Sequence, residues 1–223
     1  MTAPAHRLMR VTTDERGPLI VLLHGFAGTP EDLEPFAHSM GVGARFVFPE
    51  GRADLAEFGL PGRGWWPSDG VARASALRDG VARDLCDFEP AGLQGAHEAM
   101  SALLDELTAE AKGAPLVLGG FSQGAMLAFD IALRSERAIA GMVQLSGARI
   151  AQRFWNPLLS KRAGMRAFLS HGRADSDLAF EAAARFEADL RAAGWLVDFC
   201  PFDGGHEVPL VAFRGLKRFL NSL

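Results

Sequence analysis

Short, almost uninterrupted apolar runs recur along the chain and constrain its fold more than any other feature. Apolar residues follow one another in these runs instead of alternating with polar ones, which is typical of strands that helices cover on both faces. The predicted strands are residues 19–24, 44–49, 116–120, 139–145, 166–171 and 196–201. The pattern therefore predicts a mostly parallel sheet.

Helical patterns lie between the predicted strands. Thr29 can cap a helix that has Pro30 at its first position, with Asp32 three residues after the cap. Further helices are predicted over about 93–111, 125–136, 178–193 and from 209 onward. This alternation predicts an α/β fold of three layers around a mostly parallel central sheet. No stretch resembles an interdomain linker, so we expect residues 1–223 to form a single domain.

The composition limits the partners and the compartment. The chain has 223 residues, a net charge of −4 and no basic stripe, which argues against binding to nucleic acid. The longest aliphatic run, residues 19–23, is too short to span a bilayer, and the amino terminus lacks the apolar region of a secretory signal. We therefore expect a cytoplasmic protein without stable membrane insertion.

Cysteine and motif usage bears on cofactors. Cys86 and Cys200 lie far apart, so we expect two free thiols. Neither CxxC nor HExxH occurs, so the sequence supports no zinc site. We expect no metal and no organic cofactor.

One stretch departs from the alternation of strands and helices. Residues from Glu50 to about position 70 carry glycines and prolines around Trp65 and Trp66 and have no periodicity. Long irregular loops in compact domains are usually functional or disordered. Because paired tryptophans argue against disorder, we expect an ordered irregular loop on the substrate side of the domain.

Residues 120–124, GFSQG, have the form GxSxG and lie between a predicted strand and a predicted helix. A sharp turn of this kind holds its central side chain in a strained, exposed position, and the glycines on both sides let the backbones pass. The start of the following helix also favours a developing oxyanion. The motif therefore predicts Ser122 as a nucleophile; a glycine-rich loop with an incidental serine is the alternative.

A serine hydroxyl needs a base to take its proton, and the base needs an acid to orient it. In this fold context both follow the serine in chain order, and only His171 and His206 do so among the histidines. His171 ends a predicted strand, and we expect its ring to pack beneath the site. His206 lies in a turn at the carboxyl edge, where ligands bind in open α/β sheets, so it is the predicted base.

The acid is expected on a loop between Ser122 and His206, just beyond a strand. Asp175 and Asp177 both lie in the segment HGRADSD, after the predicted strand 166–171. Position on a short loop favours Asp175, although spacing alone does not separate it from Asp177. Asp203 is the remaining alternative and is more typical of a turn.

The other part of an oxyanion site is expected in the loop after the first predicted strand. This loop reads HGFAG over residues 24–28. We predict the backbone N–H groups of Phe26 and Gln123 as the two donors to an oxyanion. A tight turn without a catalytic role is the alternative interpretation of HGFAG.

These motifs resemble those of the phospholipase/carboxylesterase family of α/β-hydrolases, which includes bacterial carboxylesterases and acyl-protein thioesterases. LLHGFAG is similar to the family's oxyanion loop, GGFSQGAML to its nucleophile elbow, SHGRAD to its acid loop and FDGGHEVP to its histidine turn. The resemblance runs from about Pro18 to the carboxyl terminus and implies a three-layer α/β-hydrolase fold. It gives Ser122, Asp175 and His206 the roles of a catalytic triad.

The chain departs from the family's pattern at two points. The family's acid loop usually continues with valine and proline after the aspartate, whereas this chain reads SDLAF there. The family's oxyanion loop often carries an aspartate near Gly28, which this chain lacks. The first departure bears on the conformation of the acid loop, and the second bears on the neighbours of the pocket.

The resemblance implies hydrolysis of a small-molecule ester or thioester with a short to medium acyl chain, through an acyl-enzyme. In the family an apolar loop beside the nucleophile contacts the acyl group, and residues 59–69 take that place here. Leu60, Trp65 and Trp66 are therefore predicted to wall an acyl pocket; burial of both tryptophans in the core is the alternative. A homodimer is compatible with the resemblance.

Other functions remain open at this stage. A thioesterase or lysophospholipase would share the acyl-enzyme step, because the triad does not encode the leaving group. A dienelactone-hydrolase-like enzyme is disfavoured, because that relative has cysteine at the elbow. A non-catalytic binding protein of this fold normally lacks a triad member, whereas this chain has all three.

Overall fold

The computed structural model describes residues 7–67 and 70–223; residues 1–6 of the predicted domain and residues 68 and 69 of the predicted irregular loop lie outside the described residues. The strands in the described part are β1 (Leu8–Thr12), β2 (Leu19–Leu23), β3 (Arg45–Pro49), β4 (Ala53–Asp54), β5 (Arg63–Gly64), β6 (Leu116–Phe121), β7 (Gly141–Leu145), β8 (Arg166–Gly172) and β9 (Leu196–Phe202). The α-helices there are α1 (Glu34–Met40), α2 (Gly70–Arg78), α3 (Leu93–Glu110), α4 (Gln123–Arg134), α5 (Gln152–Leu159), α6 (Phe180–Ala192) and α7 (Leu210–Leu220).

A seven-stranded sheet has the order β1-β3-β2-β6-β7-β8-β9. β1 runs antiparallel to β3, and the other neighbouring strands of this sheet are parallel. β4 and β5 pair separately as a short antiparallel hairpin. Because the carboxyl ends of parallel strands lie at the same edge of a sheet, the loops after β2, β6, β8 and β9 come together there.

Helices cover both faces of the sheet. One apolar cluster contains buried side chains of α3, α4, α5 and α6, and the other contains those of α1 and α7. Every residue of β2 and of β7 is buried, which is why these strands read as continuous apolar runs. The predicted three-layer α/β architecture with a mostly parallel sheet is confirmed.

Some elements differ from those that the sequence pattern predicts. The predicted strands are present with ends shifted by up to two residues, but β1, α2 and α5 are additional. The stretch predicted to be irregular contains the β4–β5 hairpin and a 3₁₀ turn, Ala56–Phe58. At the predicted cap, the Thr29 N–H donates to the Asp32 carboxylate over 2.8 Å, and a 3₁₀ turn precedes α1.

A helix that crosses a bilayer needs about 20 mostly apolar residues. None of the helices in residues 7–67 and 70–223 meets that requirement.

Candidate active site

Ser122 occupies the sharp turn between β6 and α4. Its φ and ψ angles are 52° and −119°, and residues other than glycine rarely adopt a positive φ of this kind. The flanking glycines explain how the turn fits. A Cβ at Gly120 would lie 2.4 Å from the Leu23 carbonyl oxygen, and one at Gly124 would lie 2.3 Å from the same atom. The turn therefore holds Ser122 at the carboxyl edge of the sheet, as the GxSxG motif predicts.

His206 lies between Ser122 and Asp175. Its Nδ1 is 2.8 Å from the Asp175 Oδ2, and its Nε2 is 2.9 Å from the Ser122 Oγ. A carboxylate only accepts hydrogen bonds, so Nδ1 carries the ring proton and Nε2 is free to accept from the serine hydroxyl. These three side chains come from the loops after β6, β8 and β9, so the structure brings together the residues that chain order selects.

Asp175 is buried and accepts several hydrogen bonds. Its Oδ1 receives the N–H groups of Asp177 and Leu178, each over 2.9 Å, and its Oδ2 also lies 3.3 Å from the Nε2 of His171. Burial alone would raise the pKa of Asp175, but hydrogen bonds from His171 and His206 outweigh burial and hold that pKa well below its usual range. Asp175 is therefore a fixed anion that faces the Nδ1 of His206.

Contacts beneath the site hold the acid loop and the histidine turn together. The Ser146 hydroxyl donates to the Glu207 carbonyl oxygen over 3.0 Å, which fixes the turn after His206 to the end of β7. A Cβ at Gly172 would lie 2.2 Å from the Gly205 carbonyl oxygen, so only glycine lets these two segments approach so closely. The ring of His171 is buried beneath the site, as the sequence predicts.

The loop after β2 passes beside Ser122. A Cβ at Gly25 would lie 3.5 Å from the Ser122 Cβ, and Phe26 lines the same cavity as Ser122. Gln123 is the first residue of α4, and backbone N–H groups in the first turn of a helix have no partner within that helix. Both predicted oxyanion donors therefore belong to backbone that borders the serine.

His24 supports that loop from below. Its Nε2 accepts from the Gly51 N–H over 2.9 Å, and its Nδ1 lies 2.7 Å from the Gly25 carbonyl oxygen. Because Nε2 accepts a hydrogen bond, the ring proton lies on Nδ1, and the ring links the loop to residue 51. Burial also lowers the pKa of His24.

The Gln123 side chain has a contact that the motif does not predict. Its Oε1 accepts from the Trp65 N–H over 2.9 Å, and its Nε2 donates to the Trp66 carbonyl oxygen over 3.0 Å. The Trp65 indole N–H in turn donates to the His24 carbonyl oxygen over 2.8 Å. This buried amide therefore fastens the tryptophan segment to the start of α4.

The cavity at Ser122 has a volume of about 90 Å³. Apolar and polar side chains share its wall. Its described lining residues are Phe26, Trp66, Arg73, Arg83, Leu85, Phe88, Phe121, Ser122, Gln123, Met126, Asp177, Leu178 and His206. Of the predicted acyl-pocket residues, Trp66 lines the cavity. Trp65 and Leu60 are not among the described lining residues, and Leu60 is 36% exposed. Both tryptophans are buried in the core, as the alternative interpretation has it.

Sequence reasoning missed the two arginines of the cavity lining, Arg73 and Arg83. Both contact the buried carboxylate of Asp177, at Nε–O distances of 2.8 and 3.2 Å. Burial would raise the pKa of Asp177, but its hydrogen bonds with the two arginines outweigh burial and lower that pKa. No motif surrounds Arg83 or Arg73. Nothing in their local sequence indicates a contact with Asp177, which lies about a hundred positions later.

Comparisons with known proteins agree with the fold and the motifs. The sequence profile of the phospholipase/carboxylesterase family matches residues 8–223. No match was found among curated protein sequences.

Solved structures with the same fold cover nearly the whole chain. Esterase PE8 is 23% identical with a TM-score of 0.80, covering 98% of this chain and 99% of that one. YahD, solved with malic acid, is 14% identical with a TM-score of 0.76, covering 97% and 98%. Zea mays acyl-protein thioesterase 2 is 20% identical with a TM-score of 0.75, covering 97% and 98%. At these identities the likeness shows the fold.

Proposed function

This chain belongs to the phospholipase/carboxylesterase family of hydrolases, and we propose that it cleaves carboxylic esters with short acyl chains through an acyl-enzyme on Ser122. One observation carries the proposal: the unbroken hydrogen-bond chain from Ser122 through His206 to Asp175. A non-catalytic protein would have no need of this arrangement or of the strained backbone at the serine.

In the proposed mechanism the Ser122 oxygen attacks the ester carbonyl while the Nε2 of His206 takes the hydroxyl proton. Asp175 keeps the imidazole in the correct tautomer and stabilises its protonated form. The N–H groups of Phe26 and Gln123 receive the negative charge that develops on the carbonyl oxygen. His206 then gives its proton to the departing alcohol. In the second half of the reaction, water attacks the acyl-enzyme carbonyl while His206 takes a proton from the water, and His206 returns that proton to the Ser122 oxygen as the acid leaves.

The size of the cavity supports short acyl chains over medium ones. Its volume of about 90 Å³ is well below the ~300–1,000 Å³ of pockets that enclose drug-sized ligands. Trp66 and Met126 are apolar wall residues that would contact such a chain. We therefore expect long-chain thioesters and lysophospholipids to be poorer substrates than short esters. A short thioester differs from a short ester only in its leaving group.

The proposal is tested with Ser122→Ala. We expect this variant to fold normally and to lose hydrolysis of a short p-nitrophenyl ester by a factor of about 10⁴ or more, because the nucleophile is absent. The measurements are steady-state hydrolysis, labelling by a fluorophosphonate probe, and circular dichroism to check the fold.

The matched control is Ser39→Ala, which removes an exposed hydroxyl on α1 and is expected to retain hydrolysis and labelling. Turnover by Ser122→Ala at the wild-type rate would refute the assignment.

A further inference from the structure

The cavity beside Ser122 holds two guanidinium groups that share one carboxylate. The Arg73 Nε and Nη2 lie 2.8 and 2.7 Å from the Asp177 Oδ2. The Arg83 Nε lies 3.2 Å from the Asp177 Oδ1, and its Nη2 contacts the same oxygen. All three residues line the cavity with Ser122 and His206. The cluster therefore belongs to the wall that a bound substrate would meet.

The charges of this cluster do not balance. Among the described lining residues, two guanidinium cations face one carboxylate anion, which leaves one positive charge in that part of the cavity wall. A second buried carboxylate nearby, Asp175, is not among the described lining residues. It accepts from His206 and two backbone N–H groups, and it lies 3.3 Å from the His171 Nε2. Each guanidinium also has five N–H donors. The two groups share the Asp177 carboxylate, which cannot accept from all of these donors. A cation with spare donors thus faces the cavity.

The arginines are held in place before any substrate binds. The Arg83 N–H donates to the Asp177 carbonyl oxygen over 2.9 Å, and its own carbonyl oxygen accepts from the Ala179 N–H over 3.0 Å. The Arg73 guanidinium carbon lies 5.9 Å from the centre of the Phe26 ring. Donors that are already ordered lose little conformational freedom on binding, which strengthens recognition of an anion.

The cavity volume limits how far such an anion can be from the ester. About 90 Å³ is well below the ~300–1,000 Å³ of pockets that enclose drug-sized ligands. A substrate that reaches both the serine and the guanidinium groups within this cavity therefore has to be short. A planar guanidinium fork matches a carboxylate in two parallel hydrogen bonds, and a carboxylate is compact enough for this space.

We propose that the preferred substrates are short esters that carry a second, ionised carboxylate a few bonds from the scissile carbonyl, and that Arg73 and Arg83 bind it. This inference rests on the proposed ester hydrolysis and names its substrate class. The cationic wall would attract such esters, would leave neutral esters of equal length as weaker substrates, and would repel cationic ones.

The test compares three methyl esters of similar length and different charge: monomethyl succinate, methyl pentanoate and methyl 4-(trimethylammonio)butanoate. Hydrolysis is followed by base uptake at constant pH. We expect kcat/KM for monomethyl succinate to exceed that for methyl pentanoate by about tenfold or more, mainly through KM, with the cationic ester the poorest. Added salt should reduce this preference.

Variants then assign the preference to the cluster. Arg73→Gln should reduce the succinate-to-pentanoate ratio of kcat/KM by about tenfold, and Arg73→Lys, which keeps the charge, should retain part of the preference. Arg10→Gln is the matched control, because Arg10 lies on β1 and pairs with Glu110 away from the cavity; its ratio should equal that of the wild type.

A wild-type ratio at or below one would overturn the inference, whether or not the variants fold, and so would an unchanged ratio in well-folded Arg73→Gln. In either case hydrolysis of methyl pentanoate that Ser122→Ala abolishes would leave the proposed function intact. If the wild type hydrolyses no ester of the series or of the p-nitrophenyl type, the proposed function itself fails and the inference with it.

Discussion

At the scale of single residues, Asp175 faces two imidazole rings with different surroundings. The His206 side chain is 18% exposed and reaches Ser122, whereas the His171 side chain is 1% exposed. The Nε2 of His171 lies 3.0 Å from the Leu178 carbonyl oxygen and 3.3 Å from the Asp175 Oδ2. Both neighbours are acceptors, so Nε2 carries the proton. His171 and His206 contact the same carboxylate oxygen, Oδ2, and we infer that His171 is a positioning residue for Asp175.

We expect His171→Leu to reduce kcat for a short ester by about 10–100-fold, because Asp175 loses a donor and turns more freely. KM should change by no more than a few-fold, since His171 does not line the cavity. His171→Gln is the matched variant: its side-chain N–H can reach the same acceptors and should restore most of kcat. The measurement is steady-state kinetics of both variants; equal losses of kcat, or a loss confined to KM, would contradict the positioning role.

Chain order leaves two histidines after Ser122, and position separates them, because His171 ends a strand whereas His206 lies in a turn at the carboxyl edge of the sheet. Spacing does not separate Asp175 from Asp177, because both lie on one short loop and both are buried. Their partners distinguish them. Asp177 meets Arg73 and Arg83, which precede it by 104 and 94 positions, and no local pattern reports contacts over such distances.

At the scale of elements, the turn from β6 into α4 depends on a close approach to β2. A Cβ at Gly124 would lie 2.3 Å from the Leu23 carbonyl oxygen and 2.5 Å from that of His24. Both obstacles are backbone atoms at the end of β2 and the start of the loop that follows it, so neither can move alone. The helix start, the strand end and the loop therefore form one unit.

We expect Gly124→Ala to lower the free energy of unfolding by about 1–3 kcal/mol, because overpacking shifts the backbone. Gly95→Ala is the control: Gly95 lies inside α3, a Cβ there meets nothing within 4 Å, and the change should raise stability by about 0.5–1 kcal/mol. Urea unfolding measures both variants. Equal stability of the two would show that the close approach at Gly124 is not a constraint.

The elements differ in how well the sequence predicts them. Central strands such as β2 and β7 are buried on both faces and therefore give continuous apolar runs. The edge strand β1 is half-buried and half-exposed and forms only by pairing with β3, so no apolar run marks it. α2 lacks an apolar stripe and α5 contains Pro157, so helical spacing predicts neither.

At the scale of the whole molecule, the buried carboxylates Asp175 and Asp177 couple folding to pH. For both, burial would raise the pKa, but hydrogen bonds from their partners outweigh burial and hold the pKa below the value of about 3.9 that an unfolded chain gives. The folded state thus binds fewer protons than the unfolded state. The resulting stabilisation is present above that unfolded value and is lost as pH falls through the folded values.

We expect the free energy of unfolding to decline as pH drops below about 5, and Asp177→Asn to flatten this decline while destabilising the protein at neutral pH. The flattening follows because asparagine does not titrate. Urea unfolding at a series of pH values measures both effects. Asp203→Asn is the control, because the Asp203 side chain is 98% exposed, and its decline should parallel that of the wild type. A decline in Asp177→Asn as steep as in the wild type would contradict the coupling.

The contacts of Arg73 and Arg83 with Asp177 join three segments of the chain. These are α2, the strand-like stretch at Arg83 and the loop that carries Asp175. The arginines proposed to select the substrate and the loop proposed to orient His206 therefore depend on each other and cannot be exchanged separately. Replacing residues 70–85 with a segment from another protein would remove Arg73 and Arg83. The buried Asp177 carboxylate would then lack cationic partners, and the loop that carries Asp175 would be disturbed. Libraries that aim at new selectivity should therefore vary Arg73, Arg83 and Asp177 jointly.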